Sequence, residues 1–361
     1  MKAVIAGYAR SPFHFANKGL LTRVRPDDLA SQVAKALLAR ADLDPALLED
    51  VILGCAYPEA SQGNNLARIV GLLSGLPQEV GGMTVNRFCG SSMSAIHIAA
   101  ANIEAGLGDA FLCVGVESMT SVPQGGFNFS PNPWLKDYTD AYVSMGRTAE
   151  NVAERYGIPR GEQEQMALAS HHKAAAAREQ GRLRDEIVRI QTGTGEWITE
   201  DGCIRPTTSL EALAKLPPAF DEHGVVTAGT SSPLTDGASA VLVTSDDFAA
   251  RHNLAPSARI RAVASAGCDP AVMGLGPIPA TQKALARAGL SADDLGVVEI
   301  NEAFASQALA CIGDLHLNPA TVNLDGGGMA IGHPLGATGA RITGKAAALL
   351  QREKVKYALA T

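Results

Sequence analysis

Aromatic residues are scarce in this chain, 5% of 361 residues with only two tryptophans, and basic residues are outnumbered, 30 Lys and Arg against 37 Asp and Glu. The resulting net charge of −7 argues against a nucleic-acid binder, which carries a basic surface. No C-x-x-C pair occurs among the six cysteines (Cys55, Cys89, Cys113, Cys203, Cys268, Cys311), which excludes a zinc cluster or a disulfide scaffold. Scattered thiols fit a reducing compartment, so a cytoplasmic protein is expected. The opening apolar stretch, Ala3 to Ala6, gives way to Arg10-Ser11-Pro12 and is too short for a signal peptide or a membrane span. What remains is an ordinary globular composition, 46% hydrophobic and rich in glycine, in a chain too long for one core. Any phosphates on a ligand must be met locally, by a few Lys or Arg or by helix N-termini.

Strand and helix signals alternate from the start. Residues 27–40 read as a capped amphipathic helix, Val51 to Cys55 as a strand, and Leu66 to Leu73 as a helix. Met83 to Val85 reads as a short strand that breaks at a Gly/Ser cluster and enters a long helix, and Ala110 to Val116 as a buried strand. From Glu117 to about Leu234 prolines and aromatics interrupt this texture, with helices near 147–156 and 162–180. A buried strand at Asp236 to Ser245 then restores it. The later part repeats the first. Leu38-Ala39-Arg40-Ala41, with Leu43, Leu48 and Val51, is matched by Leu285-Ala286-Arg287-Ala288, with Leu290, Leu295 and Val298, at a constant shift of 247. The expectation is an α/β chain of two like halves: residues 1–117 plus 235–256, and residues 257–361, with 118–234 inserted.

Chemistry concentrates in four stretches. Cys89, in Asn86-Arg87-Phe88-Cys89-Gly90-Ser91-Ser92, sits where a strand gives way to a helix N-terminus, and the helix dipole there favours a thiolate. A depressed thiol pKa is therefore expected. Asn301 and Glu302 end a strand at a helix start, where either can cap or act. His333 lies in a glycine-rich loop, Gly326 to Gly339, and Pro334 biases it toward an extended conformation that aims the ring from a loop. Thr227 to Leu234 is a small-residue loop along which a ligand chain can run.

Together these segments resemble the thiolase family. The carriers are Asn86-Arg87-Phe88-Cys89-Gly90-Ser91-Ser92, Asn301-Glu302-Ala303-Phe304-Ala305, and Gly327-Gly328-x-Ala330-x-Gly332-His333-Pro334-x-Gly336-x-x-Gly339. The segment Gly267 to Pro277 points to the acetyl-CoA C-acyltransferase branch, the 3-ketoacyl-CoA thiolases of fatty-acid β-oxidation. The resemblance implies a duplicated five-layer α-β-α-β-α fold with an inserted loop domain, and acyl transfer through an acyl-Cys89 thioester, with His333 as base. Asn301 would hold a water that polarises a thioester oxygen, and the Cys89 N–H would serve the acyl oxyanion. Coenzyme A enters as a substrate, with no permanently bound cofactor and no metal. The CoA and acyl-CoA positions carry over to Arg205 near the adenine, Ser232 and Ala228 along the pantetheine, and Met145, Leu216, Phe220, Ala303 and Phe304 as apolar lining. Ser144 stands where short-chain biosynthetic members carry His, which weakens the alternative of an acetyl-CoA acetyltransferase. A ketoacyl-synthase type of condensing enzyme is disfavoured by Asn301-Glu302-Ala303-Phe304.

The resemblance further implies a homodimer or dimer of dimers, with the strand Ala110 to Val116 expected at the interface, and it leaves room for a β-oxidation partner subunit. No membrane or nucleic-acid partner is expected. The chain stops at Thr361, within the strand that precedes the family's Cys-x-Gly-x-Gly-x-Gly pattern. That ending leads to two alternative expectations: a longer working protein, or a catalytically silent CoA-binding relative.

Overall fold

The computed structural model describes residues 1–361. A seven-stranded mixed sheet forms the first half: β1 (Ala3–Arg10), β2 (His14–Phe15), β3 (Asp50–Gly54), β4 (Gly81–Val85), β5 (Ala110–Ser118), β8 (Thr235–Ser245) and β9 (Ala258–Arg259). Its order is β4-β3-β5-β8-β1-β9, with β2 pairing β8. Every residue of β5 and β8 is buried, as expected of central strands covered on both faces. The chain between them leaves the sheet. That excursion holds α4 (Pro133–Tyr138), α5 (Met145–Tyr156), α6 (Arg160–Glu179), a ribbon of β6 (Ile190–Gln191) and β7 (Trp197–Ile198), and α7 (Leu210–Ala214).

The second half holds α9 (Pro277–Ala288), β10 (Val297–Glu299), α10 (Ala305–Asp314), α11 (Gly328–Ile331), α12 (Leu335–Glu353) and β11 (Ala358–Ala360). Its strand pairing copies the first half in register. Asp50 faces Phe111 across the parallel β3–β5 pair, and Val297 faces Ala358 across the parallel β10–β11 pair. Each second-half number is 247 above its counterpart. The helices before β3 and β10 obey the same shift: α1 (Pro26–Ala41) ends on a left-handed Asp42 at φ 48°, and α9 on a left-handed Gly289 at φ 66°. Helix α1 itself starts with Pro26 at its first position rather than with an aspartate cap. Asp27 and Asp28 lie in the first turn, where they favour the dipole.

Five layers result. On the outer side of the first sheet lie α1 and α2 (Leu66–Leu73), whose Leu29, Val33, Leu37, Leu66 and Val70 meet Val51, Leu53 and Leu112. On its inner side lies α3 (Ser91–Ala105), where Ile96, Ala99 and Ile103 meet Ile52, Phe111 and Cys113. Beside α3 runs α12, which touches both sheets. Beyond β10 and β11, α9 and α10 close the stack through Ile278, Ala310 and Cys311. The remaining helix, α8 (Asp246–Arg251), follows β8 and is capped by Ser245.

One expectation is corrected here. Strand β5 has both edges paired, to β3 and to β8, and has no free edge for a second copy of the chain. The outer strand is β4, which pairs only with β3 and exposes Gly81 and Met83. No helix is long and apolar enough to cross a membrane, and all six cysteines are free.

Candidate active site

Helices α3 and α12 begin side by side, and small residues let their backbones touch. A Cβ on Gly339 would lie 2.2 Å from the Met93 nitrogen, and one on Gly336 2.5 Å from the Val116 oxygen. Neither position accepts alanine without moving main chain. Ser92 Oγ then accepts from the Ala340 N–H at 2.8 Å, tying the two helices at their starts.

Cys89 sits on the 3₁₀ turn Phe88–Gly90 that leads into α3. Phe88 is held in the left-handed region, φ 44°, which an aromatic residue adopts only under constraint. The constraint is local: the Phe88 N–H donates to Asn86 Oδ1 (2.8 Å), the Ser91 hydroxyl donates to Phe88 O (2.6 Å), and the Arg87 N–H donates to Ser91 Oγ (2.8 Å). The turn thus holds the thiol, partly buried beside Tyr57 and Leu335, at the mouth of α3. Burial pushes the Cys89 thiol up to about 12, and the Glu117 carboxylate adds to the rise. The expected depressed pKa is overturned: desolvation outweighs the helix start, and only the residue's own N–H opposes it.

His333 lies between α11 and α12, 4% exposed. Its N–H donates to Thr235 Oγ1 at 3.0 Å, and Gly332 before it takes φ 112°, which a side chain would resist. The ring is held at both nitrogens. Nδ1 lies 2.6 Å from Thr338 Oγ1, and Nε2 lies 3.2 Å from Asn301 Nδ2. The Thr338 hydroxyl spends its one proton on Pro334 O (3.1 Å), so its oxygen accepts from Nδ1–H. This assigns the tautomer: Nε2 carries no proton, its single lone pair accepts from the Asn301 amide at rest, and it takes a proton as that contact is released. Burial lowers His333 to about 3, with Arg341 contributing, so the imidazole is neutral at physiological pH. Removing this tautomer lock is expected to cost about 1–3 kcal/mol, roughly five- to 150-fold in rate. Thr338→Val should lower kcat by that factor with KM for CoA unchanged, and Thr338→Ser should restore it. An unaltered kcat in the valine variant would remove Thr338 from this role.

Asn301 and Glu302 do not cap the next helix, which starts at Ala305 with Phe304 as its uncapped N-cap residue. Asn301 turns to His333 and keeps a buried Oδ1 without a protein partner. Glu302 anchors the glycine loop, accepting from Ser170 Oγ (2.6 Å), Asn323 Nδ2 (2.7 Å) and the Met329 N–H (3.2 Å). Glu117 does the same on the first-half side. It accepts from the Ala56, Tyr57 and Gly336 N–H groups, and burial raises its pKa. Glu117, Thr235 and Thr338 carry no motif of their own in a single sequence; only the fold brings them to Cys89 and His333.

The apolar positions expected for CoA gather at one place. Met145, Ala303 and Phe304 pack with Ala149 and Val226, and the Phe220 ring stands edge-on to Phe304, centroids 5.7 Å apart. Phe220 also covers Gly146, whose Cβ would lie 2.0 Å from the ring. Leu216 lies beside Gly229, next to the exposed Ala228, and the Ser232 N–H donates to Ala303 O at 2.9 Å. Arg205 stands apart from this group, exposed, with its guanidinium 5.2 Å from the Phe15 ring centroid. Ser144 caps α5, accepting from the Arg147 N–H at 3.3 Å.

The family model described as "Thiolase, N-terminal domain" matches residues 3–247, and "Thiolase, C-terminal domain" matches residues 254–361. The chain belongs to the thiolase family. Among curated thiolases, the 3-ketoacyl-CoA thiolase of Saccharophagus degradans is 50% identical over 368 residues, covering 99% of this chain and 94% of that protein. That of Shewanella loihica is 46% identical and covers 100% and 95%. The crystal structure of human mitochondrial 3-ketoacyl-CoA thiolase superposes with a TM-score of 0.91 at 39% identity, covering 99% of this chain and 94% of that one. The same human thiolase in complex with CoA matches at 0.91 and 38%, covering 99% and 93%. The thiolase fold and the α/β class are thereby settled together.

Proposed function

We propose that this thiolase cleaves a 3-ketoacyl-CoA with CoA, giving an acyl-CoA shortened by two carbons and acetyl-CoA. The observation that carries the reading is the oriented His333, neutral and bare at Nε2, at the place where the helix starts holding Cys89 and the glycine loop meet. Cys89 and His333 are both uncharged at rest. As the sulfur bonds to the keto carbon, the thiol proton passes to Nε2, and the positive imidazole and the developing oxyanion offset one another in a site of low dielectric. The Cys89 N–H, which opposes the rise of its own thiol's pKa, would donate to the acyl oxygen, as the family resemblance implies. The Asn301 amide holds Nε2 at rest and gives way as the proton arrives, while Thr338 keeps the ring in position through Nδ1. The C2–C3 bond then breaks, and the departing acetyl-CoA carbanion takes the proton held on Nε2. The acyl-Cys89 left behind passes its acyl group to the thiol of a second CoA, whose proton returns to the Cys89 sulfur.

The apolar group around Met145, Phe220, Ala303 and Phe304 suits the pantetheine arm, with Ala228 and Ser232 along it and Leu216 behind. Arg205 reaches the adenine end. Arg205→Ala should therefore raise KM for CoA roughly two- to fivefold, as expected of an exposed cation contact worth ~0.5–1 kcal/mol, with kcat nearly unchanged. A large fall in kcat at constant KM would place the site elsewhere. The reaction itself is tested by incubating the protein with 3-ketoacyl-CoA substrates and CoA and separating the products. Absence of acetyl-CoA would sink the proposal.

A homodimer, or a dimer of dimers, is proposed to form across β4. This strand is an outer edge paired only to β3; Asn65 takes up its Gly82 O and Thr84 N–H, and the exposed Gly81 and Met83 leave the rest of the edge accessible to a second copy. Sedimentation at micromolar concentration should give a dimer or tetramer mass, and a lone monomer would count against it.

A further inference from the structure

At the C-terminal end of α6, the chain has gathered arginines around a half-open cavity of about 570 Å³. Arg40 from the end of α1, Arg178 from the end of α6, and Arg184 and Arg189 from the loop after it all line this cavity. In a chain of net charge −7 such a cluster is not a by-product of composition. None of the four forms an ion pair with a carboxylate, although ten other arginines of the chain do. The lining includes two acids. Asp201 is already spent, both its oxygens holding the buried Arg10 at 2.7 and 2.8 Å. Glu200 alone is left to balance four guanidinium groups.

Two of the four are fixed in advance. Arg40 donates to Asp185 O (2.8 Å) and Ile187 O (3.0 Å), and the Arg189 guanidinium lies over the Trp197 ring, 4.4 Å from its centroid. Side chains held this way lose little freedom when an anion arrives. Converging like charges repel until a counter-charge enters, and a planar guanidinium fork matches phosphate oxygens. The volume is that of a small-molecule site rather than a groove for a polymer.

We propose that this cavity is a second ligand site, separate from the catalytic one, that takes a small polyphosphate: a chain of linked phosphates, free or carried by a nucleoside. The site does not depend on the thiolysis reading, because none of its residues belongs to the catalytic or CoA group. Calorimetric titration with sodium tripolyphosphate and, in a parallel arm, with ATP decides it on the full-length protein. Tripolyphosphate should bind at one site per chain and weaken as salt is raised. The variant Arg184→Gln/Arg189→Gln should bind at least about tenfold more weakly, with kcat and KM for CoA as in the parent. Equal affinity of ATP and tripolyphosphate assigns recognition to the phosphates alone, and tighter ATP adds a contact to the nucleoside; both support the site. Two results overturn it: no binding by the parent, or binding that survives the double variant and is lost in Arg205→Ala, which would place the anion at the CoA position.

Discussion

Cys89→Ala is expected to abolish acyl-enzyme formation and to lower thiolysis on the order of 10⁵–10⁶-fold, the scale seen when a covalent nucleophile is deleted. The expectation rests on how the residue is held. A strained Phe88, the Asn86 side chain that accepts from its N–H, and the Ser91 hydroxyl fix the turn without help from the thiol, so its removal leaves the scaffold unaltered. Five other cysteines offer an internal control. Cys55, Cys113, Cys203 and Cys311 are buried, and burial raises their thiol pKa values as well. Cys268 is exposed but stands in the loop before α9. Intact-mass analysis after brief incubation with a 3-ketoacyl-CoA should find one acyl group per chain, mapped to Cys89. Acylation of any other cysteine, or an acyl adduct on the alanine variant, would contradict the assignment.

The second large effect belongs to His333. His333→Ala should slow acylation about 10²–10⁴-fold, the usual worth of a positioned base. The pH dependence separates this from a general disturbance. Cys89 has a raised pKa of about 12, so its thiolate is scarce at neutral pH and increases about tenfold per unit as pH rises toward that value. Without His333, iodoacetamide alkylation of Cys89 should climb in this way from pH 6 to pH 9. With His333 in place the imidazole, lowered to about 3, is a neutral acceptor across the same range. Alkylation should then be faster and much flatter with pH. A plateau below pH 8 in the alanine variant would mean that the thiol is depressed after all.

How far the sequence alone reaches depends on the range of the interaction concerned. Helix α2 begins and ends at the residues its periodicity indicates, Leu66 and Leu73, because amphipathic spacing is a local property. The repeat at a shift of 247 carries over into strand register, since like segments face like neighbours in each half. The Cys89 turn was also legible, being a strand-to-helix junction of Gly and Ser. By contrast, the thiol pKa is not legible locally, because the burial beside Tyr57 and Leu335 and the charge of Glu117 both come from other parts of the chain. Asn301-Glu302 looked like a cap for the same reason: its partners His333, Ser170 and Asn323 lie 21 to 132 residues away. The place of β5 in the middle of its sheet follows from the return of β8 after a long excursion, and no local pattern records that.

The contact of α3 with α12 has a kinetic corollary. Ser92 and Ala340 are joined across 248 residues, and the residues between them include the whole inserted segment, the central strands β5 and β8 of the first sheet, and β10 of the second. A junction of that sequence separation forms only after a large loop has closed, so it belongs to the late, slow part of folding. Its tolerance is also narrow, because main chain meets main chain with no flexible side chain to absorb a misfit. Partly folded forms can therefore hold a complete first sheet and a correctly strained Cys89 turn while still lacking a base beside it. Turnover is then a readout of the last contacts to form, and recovery of helical signal during refolding runs ahead of recovered thiolysis.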